Sequence, residues 1–244
     1  MKIVRSTLLS AFPDVMFGMS TNTGGVSADT LGLNLSYNVG DTPENVHINR
    51  SAFFSALGIS ADRVAFTQQE HTVNITSVKL PGINEHCDAL ITDRKDVFLA
   101  ISIADCTPVV LFDPVNRIVA GIHAGWRGTA GGIVTRTIQK LSSEYRTDPH
   151  DLIAFIGPSA GKCCYEVGSE VAAQFDDRTF TPGSAGKFML DVKYANMLQL
   201  LDSGVPNSNI EIHSDCSIHN PLYHSHRRDG RRSGRMFAVI GFFK

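Results

Sequence analysis

Three apolar runs separated by polar breaks occupy the middle of the chain: Phe98 to Ile103, Val109 to Phe112 and Ile118 to Ile122. Each is short and rich in Val and Ile, which predicts buried strands. Asp105-Cys106 falls in the first break, Asp113-Pro114 in the second, and the third run stops at His123. Cys106 and His123 are therefore expected at strand ends. The glycine-rich segment Ala124 to Gly128 predicts no regular element. From Ala130 the period changes, with Val134, Ile138 and Leu141 recurring at spacings of four and three, which predicts a helix. Strand, glycine turn and helix in that order let backbone amides and a helix N-terminus face an anion.

The flanking pattern is similar in kind. Residues 1 to 40 hold short apolar pieces among Gly, Asn, Ser and Thr, and read as strands with long turns. Thr42-Pro43-Glu44 is a helix start, and Val46, Phe53, Phe54 and Leu57 give that helix one apolar face before Gly58. A strand at Val64 to Phe66 leads into Gln68-Gln69-Glu70-His71, placing His71 beyond a strand end as well. Further strands are expected at Leu152 to Ile156, Ile210 to Ile212 and Met236 to Phe242. A helix over Asp191 to Leu201 should bury Tyr194, Met197, Leu198 and Leu201. Strands outnumber helices, so the expected fold class is α/β with mixed sheets. No internal repeat, low-complexity tract or linker divides the chain, which is read as a single domain over residues 1–244.

Composition narrows the function classes. Apolar residues make up 43% and charged residues 19%, values of a globular protein with a real core. No apolar run reaches membrane-spanning length and Met1 to Ser6 lacks a signal-peptide core, so a cytoplasmic protein is expected. With 22 basic and 24 acidic residues the net charge is −2, which argues against nucleic acid as a partner. Five cysteines in no paired framework suit a reducing compartment. Nothing in the pattern reports oligomeric state.

The candidate chemistry is concentrated at Cys106 and His123, a soft thiolate and an imidazole that one metal ion could bridge. Each alone also reads as a buried small hydrophobe or a hydrogen-bonded structural histidine. His71 is a third possible donor, though sequence separation does not link it to Cys106. No C-x-x-C pair exists; Cys163 and Cys164 are adjacent and point to opposite faces if extended. His86-Cys87-Asp88 reads as a decoy for a second metal group, and Glu70 as a surface acid. Gly157-Pro158-Ser159-Ala160-Gly161 matches the nucleophile elbow G-x-S-x-G, but Lys162 to Glu166 looks extended where the elbow needs a helix. The same run fails as a P-loop. Five arginines lie among glycines between Arg227 and Arg235. That segment is either a solvated basic loop or a phosphate site with Arg227 and Arg235 turned inward.

Ala-Asp-Cys-Thr-Pro-Val from Ala104 and His-Ala-Gly-Trp-Arg-Gly from His123 form an ordered set with motifs spread over nearly the whole chain. The set includes Gly24-Gly25-Val26-Ser27, Asn49-Arg50, Gln69-Glu70-His71, Asp88 to Thr92, Ile156-Gly157-Pro158, Cys164 to Gly168 and His226 to Arg235. It resembles the family known variously as laccase-domain or polyphenol oxidase-like proteins and as purine nucleoside phosphorylases. The resemblance implies two packed mixed sheets with helices outside, in four layers α/β/β/α. It implies zinc held by His71, Cys106 and His123, the same residues being catalytic, with a fourth position open as in catalytic zinc sites. The implied reaction is phosphorolysis of adenosine, inosine, guanosine or methylthioadenosine to base and sugar 1-phosphate, with adenosine deamination as a side activity. In that frame Arg127 positions phosphate, Asp88 orients a ligand or contacts substrate, and Trp126 stacks on a base or fills core.

Two other activities stay open. A copper-dependent polyphenol oxidase needs many histidines in H-x-H pairs, whereas nine histidines here include one such pair, His224-Ser225-His226. Copper binds any His/Cys site tightly, so its presence alone proves little. A thiol hydrolase built on Cys106 with His123 or His71 would cleave amides, for instance in cell-wall precursor editing. The classical zinc deaminase pattern, H-x-E followed by P-C-x-x-C, is absent.

Overall fold

The computed structural model describes residues 1–243, the Asp29 side chain apart. In chain order the strands are β1 (Ile3–Val4), β2 (Val15–Ser20), β3 (Val64–Thr67), β4 (Ile75–Ser77), β5 (Gly82–Asn84), β6 (Ala89–Thr92), β7 (Phe98–Ile103) and β8 (Thr107–Asp113). They continue as β9 (Ile118–Ala124), β10 (Ile153–Ile156), β11 (Glu166–Val167), β12 (Phe180–Pro182), β13 (Phe188–Leu190), β14 (Ile210–Ile212) and β15 (Met236–Phe242). The helices are α1 (Pro43–Ala56), α2 (Trp126–Ala130), α3 (Ile133–Tyr145), α4 (Ser169–Ala172), α5 (Val192–Asp202) and α6 (His226–Asp229), with short 3-10 turns between elements.

Two six-stranded sheets carry the fold, ordered β1-β2-β15-β7-β3-β5 and β14-β10-β8-β9-β6-β4. Each mixes directions. In the first, β15 pairs antiparallel with β2 and β7, while β3 runs parallel to β7 and β5. In the second, β8 is antiparallel to β9 and β10, with parallel pairs at β4–β6 and β10–β14.

The period of two along β8 explains why its run is continuously apolar. Val110 and Phe112 face one side and join Phe17, Leu99 and Ile101 of the first sheet in a shared core. Val109 and Leu111 face the other and pack under Ile133, Val134, Ile138 and Leu141 of α3 and Leu200 of α5. The first sheet is covered outside by α1, whose Phe53 and Phe54 meet Phe98, Phe237 and Val239. Helix, sheet, sheet and helix therefore stack in four layers, and the fold class is α/β as expected.

Local signals held at α1, where Pro43 follows the N-cap Thr42 whose side chain accepts from the Asn45 amide at 3.3 Å. Three local expectations are corrected. The segment after His123 is helical from Trp126, because Gly125 takes the N-cap position and its carbonyl accepts from the Thr129 amide at 2.8 Å. Lys162 to Cys164 forms a turn instead of an extended run, with the Cys164 and Tyr165 amides both donating to the Gly161 carbonyl. On α5, Tyr194, Met197 and Leu201 are only half-buried. The covered face includes Lys193 and Asn196, made tolerable by full hydrogen bonding: the Lys193 ammonium donates to the carbonyls of His213, Ser214 and Asp215, and Asn196 bonds Thr129. Among the described residues no helix is long and apolar enough to cross a membrane.

Candidate metal centre between two cavities

Three strand ends converge at one edge of the sandwich. The loop after β3 brings His71, Cys106 immediately precedes β8, and His123 sits near the end of β9. Their donor atoms all lie within 4.8 Å of one another. Cys106 Sγ is 3.7 Å from His71 Nε2, and the two imidazole rings meet edge to face with centroids 4.8 Å apart. Zinc bonds of roughly 2.3 Å to sulfur and 2.1 Å to nitrogen at a tetrahedral angle span about 3.6 Å. The Cys106–His71 separation fits that span. Space for an ion is kept by Gly125, where a Cβ would stand 3.0 Å from both Cys106 Sγ and His71 Cδ2.

Asp88 organises the trio. It is fully buried, and His123 Nδ1–H donates to its Oδ1 at 2.7 Å. The same carboxylate accepts the backbone amides of Glu70, His71 and Thr72, and the Thr72 hydroxyl at 2.8 Å. One side chain thus fixes the tautomer of His123, leaving Nε2 as the free donor, and pins the loop that carries His71. Of the two roles sequence left open, orienting a ligand is the one the geometry favours.

The electrostatics match. Burial opposes the Cys106 thiolate, but the neighbouring His123 charge and hydrogen bonds from both histidines bring its pKa down to about 6. Burial likewise opposes the His123 imidazolium, while Cys106 and Asp88 raise it to about 9. Asp88 is held down to about 2: its burial is outweighed by hydrogen bonds from His123 and Thr72. Both shifts favour a thiolate–imidazolium pair, in which the thiolate is ready to bind an ion and the imidazolium gives up its proton to solvent when one binds.

His71 and Cys106 form part of the wall between two cavities, and His123 lines the larger. A larger one of about 1070 Å³ extends past Tyr37, Arg50, Phe66, Gln69 and Arg235. A smaller one of about 180 Å³ reaches Gly125, Trp126, Tyr165 and Arg227. His71, Ala104, Cys106 and His226 line both. In the larger cavity the Arg50 guanidinium lies 4.4, 4.9 and 5.0 Å from the ring centroids of Tyr37, Phe66 and Phe237, making an aromatic and cationic wall.

The expected site residues are not all brought together. Arg235 and Arg227 do reach the cavities. Arg227 anchors itself through its amide to Asp105 Oδ2 at 2.8 Å and through Nη1 to the Glu166 carbonyl at 3.0 Å, with its guanidinium 4.9 Å from the Tyr165 ring centroid. Arg127 lines neither cavity: it is exposed and folds back over the Trp126 ring at 4.2 Å. Trp126, half-buried, lines the smaller cavity and is not core. Ser159 of the elbow-like run is fully buried and accepts from the Thr107 hydroxyl, with a turn and not a helix after it. His86 pairs with Glu70 at the surface and Cys87 lies in the core, so that decoy dissolves. Arg50, Gln69, Tyr165 and His226 were missed as lining residues. Their one sequence signal was membership of the quoted motifs, as with Gln69 in Gln69-Glu70-His71.

Comparison with known proteins bears on the family and the fold. The sequence pattern of the multi-copper polyphenol oxidoreductase laccase family matches residues 16–243. Purine nucleoside phosphorylase YlmD of Geobacillus stearothermophilus is 35% identical, the match covering 94% of this chain and 91% of the relative. The crystal structure of YlmD from that organism superposes with a TM-score of 0.94 at 33% identity, covering 100% of this chain and 97% of its own. A purine nucleoside phosphorylase of Deinococcus radiodurans is 39% identical over 93% of this chain and 89% of the relative. A protein of an unknown prokaryotic organism, named adenosine deaminase RL5, is 32% identical over 86% of each. Fold, motif order and likeness over nearly the full length point the same way: this chain belongs to the multi-copper polyphenol oxidoreductase laccase family.

Proposed function

We propose that the chain is a zinc-dependent purine nucleoside phosphorylase, splitting adenosine, inosine, guanosine or methylthioadenosine with phosphate, and that it deaminates adenosine as a second activity. Residues 1–244 act as one domain in this reading, since the two sheets share a core. The observation that carries it is the convergence of His71, Cys106 and His123, with His71 and Cys106 standing between a large aromatic cavity, which His123 also lines, and a small one that bears Arg227. The relatives' names support nucleoside chemistry.

In this reading the larger cavity takes the nucleoside, with Tyr37, Phe66 and Phe237 offering faces for a purine. The smaller takes phosphate, held by the arms of Arg227 not committed to Glu166. His71, Cys106 and His123 would hold zinc, which when bound supplies Lewis acidity and a water whose pKa falls to about 7. Asp88 holds His123 through Nδ1, which would leave Nε2 to bind the ion, and it bears no proton near neutral pH. His226, whose Nδ1 donates to the Gly230 carbonyl at 3.0 Å, presents its other ring nitrogen as an acceptor or proton carrier where the cavities meet.

The test is incubation of zinc-loaded protein with adenosine, with and without phosphate, followed by product separation. Sugar 1-phosphate that appears only with phosphate supports the reading; neither it nor inosine would sink it. One observation favours a second reading. Cys106 Sγ stands 3.7 Å from His71 Nε2, and a thiol beside an imidazole is also the pair of a thiol hydrolase. Thiol alkylation that ends amide turnover while zinc stays bound would favour that one. For copper-dependent oxidation the support is the family's description alone.

A further inference from the structure

A second group of sulfur donors lies outside the site just described. The thiols of Cys163, Cys164 and Cys216 are all free, and their Sγ atoms lie within 4.8 Å of one another. Cys163 Sγ and Cys164 Sγ are 3.4 Å apart. Adjacent cysteines reach this arrangement because residues 162–164 turn back on Gly161, which brings both side chains to one side. Cys216 is delivered from the far end of the chain by the parallel bridge between Ser159 and Cys216.

Backbone amides face one of these sulfurs. The Gly161 amide donates to Cys216 Sγ at 3.2 Å. A Cβ at Gly161 would stand 2.9 Å from Cys216 Cβ and 3.4 Å from Cys163 Sγ, so only glycine lets this amide approach. Burial raises the Cys216 thiol, but amides of His219, Gly161 and Ile218 outweigh it and leave the group below its ordinary value. Burial and the neighbouring sulfurs push Cys164 the other way, up to about 12. Cys216 therefore stands as the sulfur best served by backbone donors, with the other two sulfurs beside it. The buried Lys193 ammonium lies close enough to share its field with Cys163 and Cys216.

We propose that Cys163, Cys164 and Cys216 form a trithiolate site for a soft monovalent metal ion, Cu(I). The donor set is sulfur alone: among the described residues the cluster contains no imidazole or carboxylate. Soft thiolates select soft ions, and three donors suit trigonal Cu(I), whereas structural zinc takes four. Binding is ligand exchange without electron transfer; the ion replaces the protons remaining on the thiols, which pass to solvent. Copper recovered with this chain would then occupy this cluster, remote in chemistry from the mixed nitrogen and sulfur centre at Cys106.

The test titrates reduced, zinc-loaded protein with Cu(I) without oxygen, in competition with a Cu(I) chelator. Binding is followed by thiolate-to-copper absorption and X-ray absorption at the copper edge. The expected result is one Cu(I) per chain with an all-sulfur shell, kept in Cys106→Ala. Cys163→Ser and Cys164→Ser should each weaken it by more than the roughly 10–100-fold that losing an outer partner costs. Because Cys216 is buried, these two more accessible positions are the decisive ones, with circular dichroism to check folding. A shell containing nitrogen, loss of Cu(I) in Cys106→Ala with retention in Cys163→Ser, or no competition with the chelator would each overturn the proposal.

Discussion

Asp88 Oδ1 accepts a hydrogen bond from His123 Nδ1 at 2.7 Å while the same carboxylate gathers the amides of residues 70–72. One buried acid therefore sets both the ring of one donor and the loop of another. Asp88→Asn keeps the size but loses the charge and part of the acceptor capacity. It should lower zinc affinity by roughly 10–100-fold, read by competition with a chromophoric chelator. Unchanged affinity would show that Asp88 serves only the fold.

Zinc uptake should release protons in a pH-dependent number. Cys106, near 6, is already a thiolate at neutral pH, whereas His123, near 9, still carries its proton. Between about pH 7 and 8 these two groups together should release close to one proton per zinc, and below about pH 6 their share should rise toward two. Calorimetry in buffers of different ionisation enthalpy measures it. No release at neutral pH would mean that His123 is neutral before metal arrives.

Gly125 has φ −68° and ψ 167°, angles open to any residue, so Gly125→Ala tests space and not backbone freedom. The added methyl would press on Cys106 Sγ and His71 Cδ2. We expect a stability cost of roughly 1–3 kcal/mol and a loss of zinc retention on gel filtration in a protein that still melts cooperatively. Full retention would place the ion elsewhere.

Arg227 and Arg127 separate in the structure and should separate in kinetics. Arg227→Ala should raise the phosphate KM on the order of tenfold, because Arg227 lines the smaller cavity. Arg127→Ala should leave the phosphate KM unchanged, since Arg127 stacks on Trp126 outside it. The opposite pattern would return phosphate to the position sequence suggested.

His224 is buried with Nε2 unpartnered, and burial lowers its pKa from 6.5 to about 4. The unfolded chain therefore binds more protons between those values, so stability rises with pH through that window. Acidification from about pH 6.5 to 4 should cost roughly 3 kcal/mol from this group. Urea unfolding across that range measures it, and His224→Gln should flatten the slope. An equal slope in the variant would assign the acid sensitivity to other groups.

The strands of the central region were legible because both faces of β8 and β9 are buried, which writes long Val and Ile runs into the sequence. Helix α2 was not, because glycine there serves close approach: a Cβ at Gly128 would meet the Thr72 carbonyl at 3.1 Å. The buried face of α5 was misread because Lys193 and Asn196 are polar yet fully partnered, something pattern alone does not register. Cys106 and His123 could be picked out as donors from strand ends. Their union with His71 depends on β3 lying parallel beside β7, a long-range pairing that residue spacing does not encode. Arg127 failed because one step along a helix turns a side chain by about 100°, and only three-dimensional packing tells inward from outward.

The shared boundary formed by His71, Ala104, Cys106 and His226 also bears on kinetic order. On the proposed function, a nucleoside and an anion reaching that boundary from different sides would not have to wait for one another, so either could bind first and reaction would need both. Such an enzyme would show intersecting, not parallel, double-reciprocal lines and would carry no covalent sugar between half-reactions.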